Sequence, residues 1–465
     1  MRRAHAKSFA VSRRAALSGG AAALTAAAWR RVPGANERIG VGFIGFGLIG
    51  KRHVLDFAEQ PDAALVAVSD VHAGRREEGR ALAGENAKGY QDFRALLDDP
   101  RVDAVVVSTP DHWHALATML ACAAGKDVYT EKPLTLFQRE GRWMIDVAER
   151  YQRIVQVGTQ QRSGPHYLRA KELVQSGRLG KVHSVRMRAY RNIMPGFGRP
   201  DDCPPPAELD WNAWLGPAPE RAYNPNRAIY HFRWFWDYSG GQMTNLAAHG
   251  LDAAHWMLGL GFPTAVTSCG GRFALEDNGE TPDTQDALFE FPECTISWSH
   301  REASAGAERR PTVELFGTYG SMAITRNGFT ITPDKQLPPG NAIPQFTGAH
   351  PVGGPVRVED SGNTYWTTPL QDRTGNDREQ FKLHVRNFLD CVRSRATSNS
   401  DLRSAHQVAT ACHLANISLR LGRKLQWDGV NEQIIGDEQA QGMLIRPYRA
   451  PWDNDLAALG VQPAP

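Results

Sequence analysis

The sequence predicts an α/β chain: an N-terminal doubly wound parallel sheet, then an α+β domain with a large, mostly antiparallel open-faced sheet. Three observations predict it. Apolar strands alternate with amphipathic helices from residue 39 to residue 157, a glycine-rich turn closes the first strand, and after Gly158 strands follow one another in series. A length of 465 residues suits two domains. The expected division is 1–35 signal and linker, 36–157 the parallel-sheet domain, 158–425 the α+β domain, and 426–465 a tail wrapping the surface.

The first segment carries Arg2, Arg3, Lys7, Arg13 and Arg14 and no acid before residue 29. Twin arginines after Ser12, a mild Ala/Gly/Leu run and the small residues Ala26-Ala27-Ala28 have the layout of a twin-arginine export signal, although Ala16 stands where a bulky apolar residue is usual. A periplasmic or otherwise exported protein is expected. The apolar run is too short and too glycine-rich for a stable membrane span. Without these residues 48 cations face 50 acids, with no basic stripe, so a nucleic-acid partner is excluded. The six cysteines are scattered without metal-ligand spacing, and they are expected as small core residues with no metal site.

In the first domain, strands are expected at 39–45, 64–69, 102–107, 127–130 and 153–157. The turn IGVGFIGFGLIGKRH sets Gly45, Gly47 and Gly50 as G-x-G-x-x-G between a strand and a helix. The three serve a tight turn, close approach of a pyrophosphate, and helix–strand packing, with the amides of Leu48, Ile49 and Gly50 at the helix start. Asp70 ends the next strand, 20 residues beyond Gly50, where a carboxylate accepts both ribose hydroxyls. It favours NAD, while Arg75 and Arg76 keep NADP possible. In an open α/β sheet ligands bind beyond the strand C-termini, so Thr109, Pro110 and His112 should border the nicotinamide half, with Asp111 as helix N-cap. Glu131 and Lys132 follow the strand at 127–130 on the same rim, and Pro133 holds the Lys132 backbone extended. A lysine partly desolvated beside an oxidised nicotinamide has a lowered pKa, suited to proton exchange with a hydroxyl.

With TPDHWH, YTEKPLT and VGTQQRS following that turn, residues 38–425 resemble the Gfo/Idh/MocA oxidoreductase family, which includes glucose–fructose oxidoreductase and inositol dehydrogenase. The resemblance implies a catalytic role for the lysine of the E-K-P motif, here Lys132. It also implies a second domain whose open sheet face serves substrate binding or subunit contact, consistent with a homodimer or homotetramer.

The second domain should contain a helix over 241–258, strands near 264–273, 284–291, 294–301 and 312–317, and closing helices at 378–395 and 403–422. In GGQMTNLAAHGLDAAHWMLG, Asn245, His249, Asp252 and Trp256 are spaced 4, 3 and 4 and share one helical face. His249 is expected to face the cleft as acid/base, oriented by Asp252. The family usually has Asp-x-x-x-His here. Asn245 replaces the aspartate and cannot take a proton, so proton handling would fall on Lys132 and His249. Arg233, Trp234 and Trp236 supply an expected sugar-binding wall, and Gln160 and Arg162 an expected substrate contact after the strand at 153–157. These features predict an NAD-dependent oxidoreductase acting on a hydroxyl of a sugar, polyol or glycoside. A different outcome of the same machinery is a glycosidase that oxidises transiently, eliminates the aglycone and retains its cofactor.

Overall fold

The computed structural model describes residues 38–306, 312–336 and 364–461. The twin-arginine-like segment and linker, 1–35, lie outside the described residues. The first domain runs β1 (Ile39–Ile44), α1 (Leu48–Ala58), β2 (Ala63–Ser69), α2 (Ala73–Ala83), β3 (Lys88–Tyr90), α3 (Phe93–Leu97), β4 (Ala104–Val107), α4 (Asp111–Ala123), β5 (Asp127–Thr130), α5 (Gln138–Arg150) and β6 (Val155–Val157). Its six strands pair in parallel in the order β3-β2-β1-β4-β5-β6. The winding reverses between β1 and β4, which opens a crevice at the strand C-termini. β1, β4 and β5 are buried along their whole length, as continuous apolar runs between two helical layers must be. β3, at the sheet edge, was not expected; its sequence Lys-Gly-Tyr is largely exposed and carries no apolar pattern.

The second domain opens with a 3₁₀ turn (Gln160–Ser163), α6 (Pro165–Gln175), β7 (Val182–Tyr190) and α7 (Trp211–Leu215). A 3₁₀ turn (His231–Trp234) and a π-helical turn (Met243–Ala247) lead into α8 (Ala248–Leu258). Strands β8 (Ala265–Gly271), β9 (Thr284–Glu290), β10 (Thr295–Arg301), β11 (Thr312–Gly317), β12 (Gly320–Thr325), β13 (Gly328–Pro333) and β14 (Leu370–Asp372) precede α9 (Asp377–Ser394) and α10 (Leu402–Leu421). β15 (Leu425–Asp428), β16 (Gln433–Ile434), α11 (Glu438–Gln441) and α12 (Trp452–Ala458) end the described chain. The ten strands order as β14-β13-β12-β11-β7-β10-β9-β8-β15-β16, antiparallel except where β7 meets β10. One face, with Val185, Met187, Phe289, Ile296 and Leu315, packs on Leu251 and Ala254 of α8 and on α10. The other alternates to Arg186, Arg188, Asp286, Ser297 and Ser299 and carries no helix among the described residues.

The expected boundary at 158 is not a boundary in packing. Val385, Phe388 and Leu389 of α9 join the core of β1 and α1. The Phe388 ring lies 6.2 Å from Phe57 and 5.8 Å from Tyr129. α10 sends Leu402, Ala405 and Ala409 into the first core, and Val408, Cys412 and Ala415 into the second. The tail does more than wrap the surface, since Trp452, Leu456 and Leu459 are buried in the first core and the Trp452 ring lies 4.9 Å from Trp113. Four cysteines are buried, whereas Cys203 and Cys269 are exposed. No helix among the described residues is long and apolar enough to cross a membrane.

Buried histidines give this core a pH signature. Burial pushes His112 and His413 down to about 3, and His255, His300 and His384 down to about 4. Each stays neutral when folded but takes a proton near pH 6.5 when unfolded, so acid favours the unfolded chain. Stability should therefore fall as pH drops below about 6.5, by up to roughly 1.4 kcal/mol per pH unit for each such histidine. Thermal midpoints measured across this range should decline steeply toward pH ~4.5. A level profile would contradict the burial.

Candidate active site

The glycine turn is built as its spacing requires. Gly45 has φ +91°, and a Cβ there would stand 2.8 Å from the Ser108 carbonyl oxygen. A Cβ on Gly50 would come within 2.3 Å of the Gly45 oxygen, which fixes how closely α1 approaches the strands. Gly47 is open: its Cβ would meet only Arg75 Nη1, at 3.8 Å. Beside it Leu48 is 77% exposed, and no side chain caps the first turn of α1. Asp70 Oδ2 accepts from the Phe46 amide (2.7 Å) and Oδ1 from the His72 amide (2.8 Å), which fixes the carboxylate beside the turn. Its remaining lone pairs suit ribose hydroxyls. The Thr109 hydroxyl is buried without a hydrogen-bond partner among the described residues, at the end of β4. An open glycine cradle, a fixed carboxylate and an orphaned hydroxyl along one crevice fit NAD.

His112 departs from expectation. It is 1% exposed, and its Nε2 lies 3.0 Å from the Trp214 carbonyl, with the ring against Trp214 and Tyr238. It is a core residue joining α4 to the second domain, not a border of the nicotinamide. Asp111 is not the cap either. Pro110 takes that place, and the buried Asp111 carboxylate accepts from the Ser239 hydroxyl.

Glu131, expected on the rim, is 3% exposed and holds the end of β5 from behind. Its Oε1 meets His53 Nε2 at 2.8 Å and Gln160 Nε2 at 2.7 Å, while Oε2 accepts from the Lys132 amide at 3.1 Å. Burial pushes its pKa up, but the bond and charge of His53, with Lys132 and His114, outweigh this and leave it lowered. Gln160 also donates to the Tyr129 hydroxyl at 3.0 Å, so it serves this buried network rather than a substrate. The Lys132 ammonium turns away from Glu131 and donates to the Asn245 carbonyl (3.0 Å) and side-chain Oδ1 (2.8 Å). Burial, opposed by Glu131 and Asp111 and reinforced by Arg233 and Arg326, brings Lys132 down to about 8.

Asn245 lies in the π-helical turn, a local widening that often marks functional positions. Its Nδ2 donates to Gln242 Oε1 (3.1 Å), and Gln242 Nε2 donates to Glu302 Oε1 (3.0 Å). Past that turn the predicted helical face divides in two. His249 is held neutral by burial, then by the charges of Lys132 and Arg326. Its Nε2 faces Arg326 Nη2 at 3.5 Å, and its Nδ1 has no partner among the described residues. Because arginine only donates, this pairing puts the ring proton on Nδ1.

Asp252 does not orient His249. It takes the Arg162 guanidinium through Nε (2.9 Å) and Nη2 (2.6 Å), and the pair is 0% and 1% exposed. Arg162 also donates to Ser404 Oγ (2.8 Å) of α10. Both were expected at the substrate; they form instead a buried tie beneath the site. Trp234 is likewise core, 3% exposed with Nε1 donating to Glu302 Oε2 at 2.7 Å. Trp236 is half-buried, with the Arg420 guanidinium 5.2 Å from its ring centre. Arg233 alone of the expected wall acts on Lys132.

Residues 39–159 match a family described as "Oxidoreductase family, NAD-binding Rossmann fold", and residues 169–267 and 372–454 match its "C-terminal alpha/beta domain". The chain belongs to the Gfo/Idh/MocA oxidoreductase family. The myo-inositol 2-dehydrogenase of Thermotoga maritima is 27% identical over 286 residues, 61% of this chain and 74% of its own. The scyllo-inositol 2-dehydrogenase (NAD(+)) of Bacillus subtilis is 30% identical over 290 residues, 60% and 72% of the two chains. The structure of a levoglucosan dehydrogenase in complex with NADH and levoglucosan shares the fold. It has a TM-score of 0.63 at 18% identity, over 84% of this chain and 99% of that one. This Gfo/Idh/MocA protein is thus an NAD-dependent oxidoreductase.

Sequence reasoning missed His53, Gln242, Glu302 and Arg326. None of them belongs to a local motif; His53 alone carried a signal, as a polar residue on the buried face of α1.

The glycines separate two effects. Gly50→Ala should destabilise the fold by about 1–3 kcal/mol through overpacking and also weaken NAD binding. Gly47→Ala should leave the melting temperature alone and abolish only the increment added by NAD. Thermal melts with and without NAD check both.

Proposed function

We propose that this protein oxidises a hydroxyl of a sugar or polyol with NAD, using Lys132 as the base and His249 as a hydrogen-bond donor to the reacting oxygen. The relatives named for inositols support the substrate class. The observation that carries the chemistry is the placement of Lys132 Nζ between the two oxygens of Asn245. A neutral amine has two N–H bonds and one lone pair. With both N–H groups directed at Asn245, the remaining tetrahedral position faces the substrate. There the lone pair accepts the hydroxyl proton, and in the reverse direction the ammonium returns it from the same place. His249, neutral and protonated on Nδ1, steadies the oxygen without competing for its proton. Bound NAD supplies the hydride acceptor.

Asn245 gains a purpose in this scheme. It accepts hydrogen bonds from the amine, yet adds no negative charge that would keep the amine protonated. In the oxidising direction kcat/KM should rise with pH and level off above about 8, as Lys132 loses its proton. Asn245→Asp should move that limb to higher pH. Lys132→Ala should cut kcat by roughly 10²–10⁴-fold while preserving the thermal shift caused by NAD. A chain that NAD does not stabilise, or that releases the aglycone of an aryl glycoside without net NADH, would overturn the proposal.

Export through the twin-arginine-like segment is part of the same reading. Full-length protein should fractionate outside the cytoplasm, and a chain with Arg13→Lys and Arg14→Lys should remain inside.

A further inference from the structure

The charges around Lys132 do not balance. Two carboxylates act on it, Glu131 and Asp111. Both are buried and engaged elsewhere, Glu131 with His53 and Gln160, and Asp111 with Ser239. Asn245 is uncharged and His249 is neutral. Two further cations flank the centre. Arg326, in the turn between β12 and β13, places Nη2 3.5 Å from His249 Nε2, while Nη1 pairs with the exposed Asp377 at 2.8 Å. Arg233, in the 3₁₀ turn, donates Nη1 to the Tyr230 carbonyl at 3.0 Å and lies over the Tyr230 and Phe232 rings, 5.0 and 4.6 Å from their centres. It makes no ion pair among the described residues, and the rest of its planar fork is uncommitted. Both arginines depress Lys132, so they lie close enough for their charges to reach it.

We propose that the substrate is an anionic carbohydrate, a sugar or polyol bearing a carboxylate or a phosphate, whose charged group is held by Arg233 and Arg326 while Lys132 meets its hydroxyl. This rests on the dehydrogenase reading above and narrows its substrate class. A neutral sugar entering this centre leaves Arg233 without a countercharge and Arg326 with only the exposed Asp377, beside a buried Lys132, whereas an anion compensates them. Arginine's fork offers paired, parallel donors that match the geometry of either oxyanion. Aromatic rings behind Arg233 hold its guanidinium flat, which reduces the conformational freedom lost on binding.

The test uses the full-length protein with NAD and three probes: glucose, glucuronate and glucose 6-phosphate. NADH formation should favour at least one anionic probe over glucose by 10²-fold or more in kcat/KM, and the KM of that probe should rise with added NaCl. The choice between glucuronate and glucose 6-phosphate identifies the anion as carboxylate or phosphate. Arg326→Gln and Arg233→Gln should each reduce the anion-to-neutral ratio by 10-fold or more, chiefly through KM, and Arg326→Lys should restore part of it. Glucose turned over as well as both anions, or variants that lower all probes equally, would overturn the inference. If no probe yields NADH, binding still decides it. A melting-temperature rise with an anionic probe that glucose does not give and that is lost in both Gln variants supports the anion site; an equal or absent shift with all three probes rejects it. In that case the missing NADH counts against the dehydrogenase reading separately.

Discussion

The pairing of one desolvated ammonium with one amide side chain organises this molecule. Lys132 sits at the end of β5 in the first domain and Asn245 in the π-helical turn of the second, and they meet at 2.8 Å. A buried cation needs acceptors, and here they come without a countercharge. Each partner is held by its own buried network. Glu131, with three donors converging on it, fixes the strand end from below. Gln242 and Glu302, the latter also bonded to Trp234 and Arg191, fix the amide from the side. Lys132 thus lies where two buried polar networks abut, and that placement makes its orientation rigid.

Beneath that contact a charge pair ties the opening turn of the second domain to α8. Arg162 and Asp252 are almost completely excluded from solvent, and such a pair is costly to form but more costly to break: removing one partner leaves an uncompensated charge worth about 3–5 kcal/mol. Its position beside α8 and α10 suggests why polar residues persist on an otherwise apolar helical face. Half of that face addresses Lys132, and the other half anchors the helix that carries it.

The fold and the cofactor half of the site were legible because their signals are local. Gly45, Gly47, Gly50 and Asp70 act through fixed spacing within one β-α-β unit, and Lys132 through its place at a strand end. The substrate half was less legible because its residues act across distance. Arg162 finds its partner 90 positions away and Trp234 finds its partner 68 away. A polar residue near a strand terminus looks the same in sequence whether it faces a cleft or a buried carboxylate. Arg326 shows the converse, a turn residue without any motif that the sheet carries to His249. Packing across the domain division was hidden for a related reason: α9 follows the second sheet in sequence but packs on the first.

The helix Leu402–Leu421 contributes to both hydrophobic cores, and α9 and the terminal Trp452 segment add two more crossings between them. Hinge bending of the halves as rigid bodies would expose apolar surface at three separate places at once. Contents would therefore enter and leave the cleft through local rearrangement of side chains and loops rather than by the halves swinging apart.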